Sequence, residues 1–133
     1  MTTDISQRVQ TQVSILNRYF IDGQTLATPA GFSAALYREN LDKMVADLQR
    51  EGFTDASIVA VAAASGCSPI THRDGAFLNY HLVILTGNRI LDPLYAGREP
   101  LDVGSYAARA FPEEQGVKLW SKTGEGRYQT RLQ

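Results

Sequence analysis

The amino-acid sequence predicts an α+β fold: N-terminal helices followed by a mainly antiparallel β-sheet or sandwich built from hairpins. Two observations carry that expectation. Apolar residues recur every three or four positions from Ile5 to Phe20 and again from Tyr37 to Leu48, the spacing of amphipathic helices, and this texture stops at Gly52. Beyond it come short β-branched and aromatic runs, above all "HLVILTGNRILDPLY", in which two strand-like stretches flank Gly87-Asn88. At 133 residues the chain is expected to form a single domain, 1–133, with a helical part over 1–52 and a mainly β part over 53–133.

Taken in order, Asp4 is placed to cap a first helix whose apolar face is Ile5, Val9, Val13, Leu16 and Phe20, ending at Gly23. "QTLATPAG" reads as a loop, with Pro29 and Gly31 as breakers. A second helix is expected from Phe32 to Arg50, with Leu36 or Tyr37, Leu41, Met44, Val45 and Leu48 on its apolar face and Gly52 as its C′ residue. "SIVAVAAAS" reads as a buried strand, although its alanines also suit a helix. A short helix is expected over Ser105 to Phe111, and "GVKLWSK" and "GRYQTRLQ" read as closing strands.

Composition narrows the function classes. Hydrophobic residues make up 44% and charged residues 20%, which is ordinary for a globular domain and argues against disorder. The net charge is −1 and no block of like charges occurs, so neither nucleic acid nor an anionic membrane is expected as a partner; Arg127 and Arg131 read as a solvated strand edge. A single cysteine excludes an internal disulfide. Thr2 to Asn17 alternates at helical spacing rather than reading as a signal peptide, so synthesis in a cytoplasm is expected. The longest apolar run, Ala56 to Ala64, is too short for a membrane span.

The chemistry-bearing residues cluster. "SGCSPITHRDGAFLNYH" contains the one cysteine and both histidines. If Gly87 and Asn88 are turn residues, Thr86 faces Arg89, Leu85 faces Ile90, and Ile84 faces Leu91. Asn79, His81, Val83 and Asp92 then share one face, with Asp92 the diagonal neighbour of His81. If Asp74-Gly75 forms the preceding turn, Ser68 comes opposite His81 and Cys67 lies one step away, where a bulge at Gly66 or Pro69 would turn it toward the imidazole. His72 lies too near the tip of that hairpin to meet Cys67. A thiol near pKa 8.5 becomes a strong nucleophile when a histidine takes its proton. A carboxylate on the far ring nitrogen fixes the tautomer. Gly66, with Ser65 and Ser68 beside it, would leave backbone amides free to hold an oxyanion.

Plainer readings stand beside these. A lone cysteine is commonly a small buried hydrophobe. Asp92-Pro93 also suits a strand terminator, and Asn79 is an alternative third residue. A zinc site from Cys67, His72, Asp74 and His81 lacks paired-ligand spacing, and no metal or other cofactor is expected. Tyr95, Tyr106, Trp120 and Tyr128 read as core and rim aromatics. "TGNRI" is too short for a phosphate-cradling loop.

The stretch "ASGCSPITHRDGAFLNYH" resembles the active-site hairpin of the cytotoxic necrotizing factor family of glutamine deamidases, and more distantly the Burkholderia lethal factor and chemoreceptor deamidases. The likeness covers about eighteen residues and rests on Ser65, Gly66, Cys67 and His81. It implies a β-sandwich-like core flanked by helices, and hydrolysis of a protein glutamine side chain to glutamate. The threonine some relatives place a few residues before the cysteine is Val61 here. "HLVILTGNRILDPL" also resembles the His…Asp hairpin of papain-like and transglutaminase-like folds. Those folds carry their cysteine on an upstream helix, where this chain has none, which would imply a degenerate member acting by binding.

The resulting expectation is a monomeric cysteine amidohydrolase acting on glutamine in a protein partner. In toxins of that type the target is a host GTPase or a translation factor, and delivery to a target-cell cytoplasm by a specialised secretion system is the matching expectation for this chain. The alternatives are a non-catalytic binding module, toxin-neutralising or adaptor, and a papain- or transglutaminase-like thiol enzyme.

Overall fold

A computed structural model describes residues 2–20, 34–63, 70–71, 77–78, 81–93, 99–112, 114, 116–123 and 127–131. The order is α1 (Thr2–Tyr19), α2 (Ala34–Arg50), β1 (Ser57–Ala62), β2 (Ile70–Thr71), β3 (Phe77–Leu78), β4 (His81–Thr86), β5 (Arg89–Leu91), β6 (Leu101–Asp102), α3 (Tyr106–Ala110), β7 (Lys118–Thr123) and β8 (Arg127–Arg131). This is the α+β arrangement expected: helices first, then an antiparallel, curled sheet. None of the described helices is long and apolar enough to cross a membrane.

Helix α1 starts at Thr2, so Asp4 sits inside its first turn rather than capping it. Its buried stripe also differs from the one expected. Gln12, Ile15, Leu16 and Phe20 are buried, whereas Val9 and Val13 are only half-covered. Packing against a second helix selects that stripe, and the two helices are tied by charge as well. Asp47 on α2 accepts from Arg18 Nη1 at 2.9 Å and from the Tyr19 hydroxyl at 2.5 Å, and Arg50 pairs with it too. A nearly buried carboxylate needs such partners, because removing a charge from water is costly unless hydrogen bonds replace the hydration.

Helix α2 begins by Ala34, and Leu41, Met44 and Leu48 form its buried face with Tyr37 and Val45 partly covered. Its end follows the glycine logic. Gly52 has φ +101°, its N–H bonds the Gln49 carbonyl at 3.1 Å, and the Phe53 N–H bonds the Leu48 carbonyl at 2.9 Å. These are the two bonds of a Schellman motif, with Phe53 and Leu48 supplying its apolar contact in one core cluster.

The main sheet has the order β6-β5-β4-β1-β7-β8, and β2 with β3 forms a separate two-stranded sheet. "SIVAVA" is a strand, as its β-branched residues suggest, and it lies in the middle of the sheet with β4 on one side and β7 on the other. Side-chain alternation divides two cores. Ala60, Leu82, Ile84 and Leu91 face the helices, joining Leu16, Phe20, Leu41, Met44 and Leu48. Val59, Val61, Val83 and Ile90 face the other way, against Ile70, Leu101, Tyr106, Phe111 and Leu119. Burying a side chain of this size contributes roughly 1.5–3 kcal/mol, so both faces are needed to hold the central strands.

Candidate functional site

The site begins with the β4–β5 hairpin. Gly87, at φ +58°, lets the chain reverse where a side chain would be strained, and the register is Thr86↔Arg89, Leu85↔Ile90, Ile84↔Leu91. That is the register read from the sequence. It puts His81 and Asp92 on the face of Val83 and Ile90, and the two side chains meet: His81 Nε2 lies 2.7 Å from Asp92 Oδ1. The other carboxylate oxygen, Oδ2, accepts from the Tyr106 hydroxyl at 2.6 Å. His81, Asp92 and Tyr106 are 4%, 2% and 1% exposed, so these bonds form in a largely water-free environment.

The tautomer follows from the partner. An ionised carboxylate can only accept, so the proton between His81 and Asp92 sits on Nε2, and Nδ1 is the basic nitrogen. Rings enclose the imidazole. Tyr37 from α2 and Phe111 after α3 each lie with centroids 6.3 Å from it, and Phe111 also packs edge-on against Tyr106 at 6.1 Å. The Tyr37 hydroxyl donates to the Leu82 carbonyl at 2.7 Å. Burial, then the charge of Asp92, pushes the Tyr37 phenol well above its usual range. The same two causes, and then the hydrogen bond to Asp92, do so for Tyr106. Both phenols therefore keep their protons at neutral pH.

The preceding hairpin corrects the sequence reading. Ile70 lies opposite Leu78 and Thr71 opposite Phe77, one position away from the register that a two-residue Asp74-Gly75 turn would set. His81 is paired across the main sheet with Val61, not with the returning strand of that hairpin. The reason is topological: β4 fills its free side with β1, leaving β2 and β3 as their own ladder. The hairpin docks by Ile70, fully buried in the cluster of Tyr106 and Phe111, and by the Thr71 N–H, which donates to Glu114 Oε2 at 2.9 Å.

Cys67, Ser65, Gly66, Ser68 and Asn79 lie outside the described residues, as do His72 and Asp74. Asp92 is the candidate that the described structure brings to His81 Nε2. Among the described residues no three His, Cys, Asp or Glu side chains gather to hold a metal. Tyr106 was read from the sequence as a core aromatic. It is buried as such, but its hydroxyl engagement with Asp92 was missed, since nothing in strand spacing connects residues 14 positions apart across a loop. Matches to protein-family models and to curated proteins were sought, and none was found.

Proposed function

We propose that the protein is a cysteine-dependent amidohydrolase that converts a glutamine side chain of a protein partner to glutamate, with Cys67 as nucleophile and His81 as base. The observation that carries this reading is the buried His81–Asp92 bond, because a carboxylate on Nε2 prepares Nδ1 to take a proton from a thiol. The likeness of "SGCSP…H" to glutamine deamidase hairpins supplies the substrate class.

In that reaction His81 Nδ1 removes the Cys67 proton, and the thiolate attacks the side-chain carboxamide carbon. Backbone amides near Gly66 hold the developing oxyanion. Collapse breaks the C–N bond, and the imidazolium proton leaves with the nitrogen as ammonia. Water, deprotonated by His81, then attacks the thioester, releasing glutamate and restoring the thiol. Asp92 keeps its charge throughout and stabilises the transient imidazolium. No metal or organic cofactor takes part.

A second reading is favoured by one observation. His81 is almost fully covered and boxed in by Tyr37 and Phe111, which equally suits a pair that stabilises a binding module. Iodoacetamide labelling of Cys67 from pH 5 to 10 separates the two. The catalytic reading expects labelling that rises well below the ordinary thiol range near 8.5, and returns toward it in His81→Gln, which keeps a donor for Asp92 but no base. It also expects Cys67→Ser to stay folded and release no ammonia from a substrate. A thiol indifferent to His81, or substantial deamidation by Cys67→Ser, sinks it.

A further inference from the structure

At the end of β4 farthest from His81, the β4–β5 turn stands close to α1 and to the turn after α2, and the three enclose a cleft of about 400 Å³. Small-ligand sites usually span about 300–1,000 Å³. The lining is mostly polar, and Gly52 and Gly87 keep it open: a Cβ on either would meet nothing within 4 Å.

Three side chains of this lining do nothing for the fold that a simpler residue would not do. Gln12 lies on the buried stripe of α1, 4% exposed, and its Oε1 is buried without a hydrogen-bond partner. An unpaired buried amide is costly, and a leucine would fill that stripe without the cost. Arg89 lies opposite Thr86 in the hairpin, on the helix-facing side with Leu82 and Ile84. Asp102, its neighbour on β6, uses Oδ2 on the Gly104 N–H, and among the described residues Arg89 forms no ion pair. Arg8 lies over the Phe53 ring, 4.4 Å from its centroid, and likewise has no ion pair among the described residues.

The one acid of the lining is Asp55. Its oxygens accept from the Thr86 hydroxyl at 2.8 Å and the Gly87 N–H at 2.7 Å, bonds that favour the ionised form. Two cations and one anion therefore border a common space. A phosphate dianion would stand against Asp55, a divalent metal ion against two guanidinium groups, and an apolar molecule would leave Gln12 unpaired. A ligand carrying both signs and a hydrogen-bond donor meets all four groups.

We propose that this cleft binds a small zwitterion of the α-amino acid class, its carboxylate held by Arg89 and Arg8 and its ammonium directed to Asp55 and the Gln12 amide oxygen. Turning that amide about its last side-chain bond exchanges which end meets the cleft. The assignment is independent of the thiol chemistry, because the cleft lies on the helix-facing side of the sheet and His81 with Asp92 on the other.

The test follows the backbone amide signals of Gly52, Asp55 and Gly87 by ¹H–¹⁵N NMR. The full chain is titrated with each of the common L-α-amino acids, with acetate and with inorganic phosphate, up to about 10 mM. At least one amino acid is expected to shift these signals saturably, with acetate and phosphate about tenfold weaker or more. Arg89→Gln should weaken that amino acid by about tenfold, the size of one charge-assisted pair. Gln12→Leu should weaken it as well, yet keep a urea midpoint at or above that of wild type, because an unpaired buried amide is gone. The proposal is overturned if no amino acid moves these amides, if acetate or phosphate binds as tightly, or if either variant binds like wild type. A Gln12→Leu protein that is less stable than wild type, or does not fold, also overturns it, since the amide then serves the fold.

Discussion

Asp92 offers the sharpest test of how the site is held, and it needs no substrate. Its two oxygens accept from His81 Nε2 at 2.7 Å and from the Tyr106 hydroxyl at 2.6 Å, with all three groups buried. Asp92→Ala deletes the acceptors of both bonds. Each buried donor that loses its acceptor costs about 1–3 kcal/mol, so the loss is about 2–6 kcal/mol, partly offset by no longer burying a charge. Asp92→Asn keeps the shape. Its carbonyl can accept from Tyr106 while its amide donates to His81 Nε2, provided the imidazole moves its proton to Nδ1. Two bonds to a charge become two neutral bonds, a cost of about 1–2 kcal/mol. Urea unfolding at one pH measures both. With a slope of about 1.5 kcal/mol/M, the alanine variant should lose about 1.3–4 M in midpoint and the asparagine variant about 1 M, at unchanged slope. Equal midpoints for the two variants, or an alanine loss below about 1 kcal/mol, would refute the claim that this carboxylate satisfies both donors. The asparagine variant carries a second expectation: stably folded but with the wrong tautomer, it should label Cys67 as slowly as His81→Gln does.

Two further outcomes follow from the frame around the site. Asp55 accepts from the Thr86 hydroxyl at 2.8 Å and from the Gly87 N–H at 2.7 Å, and these bonds, in that order, lower its carboxyl below its ordinary value of 3.8. A lowered folded-state value means the stabilisation is present above the unfolded value and is lost as pH falls through the folded one. Wild type should therefore exceed Asp55→Asn by about 1 kcal/mol at pH 7, a figure discounted for exposure, with the gap closing below about pH 4 in denaturant titrations. Gly52, at φ +101°, has open space where a Cβ would stand, so Gly52→Ala should cost about 1–2 kcal/mol from backbone strain alone. A thermal midpoint equal to wild type would show that the α2 terminus relaxes instead.

Much of the β4–β5 unit was legible because local rules determine it. A glycine-asparagine pair sets the turn, the turn sets the register, and alternation then places His81 and Asp92 on one face. The Gly52 terminus was legible for the same reason: one residue type suits one backbone conformation. What the sequence did not disclose is which strand occupies each open edge. Nothing in "SIVAVA" says that Val61 will lie opposite His81 rather than the segment that follows the cysteine. Tyr106 was hidden for a related reason. A tyrosine in a short helix looks the same whether its hydroxyl meets solvent or a buried carboxylate, and only the docking of that helix onto the sheet decides. The buried stripe of α1 shifted because its partner, α2, presents Asp47 and draws Arg18 and Tyr19 toward it.

The placement of β1 between β4 and β7 also bears on how the protein is made. Val59 to Val61 take one set of partners from β4, and Val59 to Ala62 take the other from Leu119 and its neighbours, whose segment begins at Lys118, 56 positions after Ala62. During translation the hairpins through β6 emerge while one side of β1 is still bare, carrying unpaired amides and carbonyls between apolar side chains. Such an edge pairs with whatever strand is nearest, including the same edge on a neighbouring polysome-bound copy. A pause in elongation just before residue 118 should therefore raise aggregation, and one just after residue 123 should not.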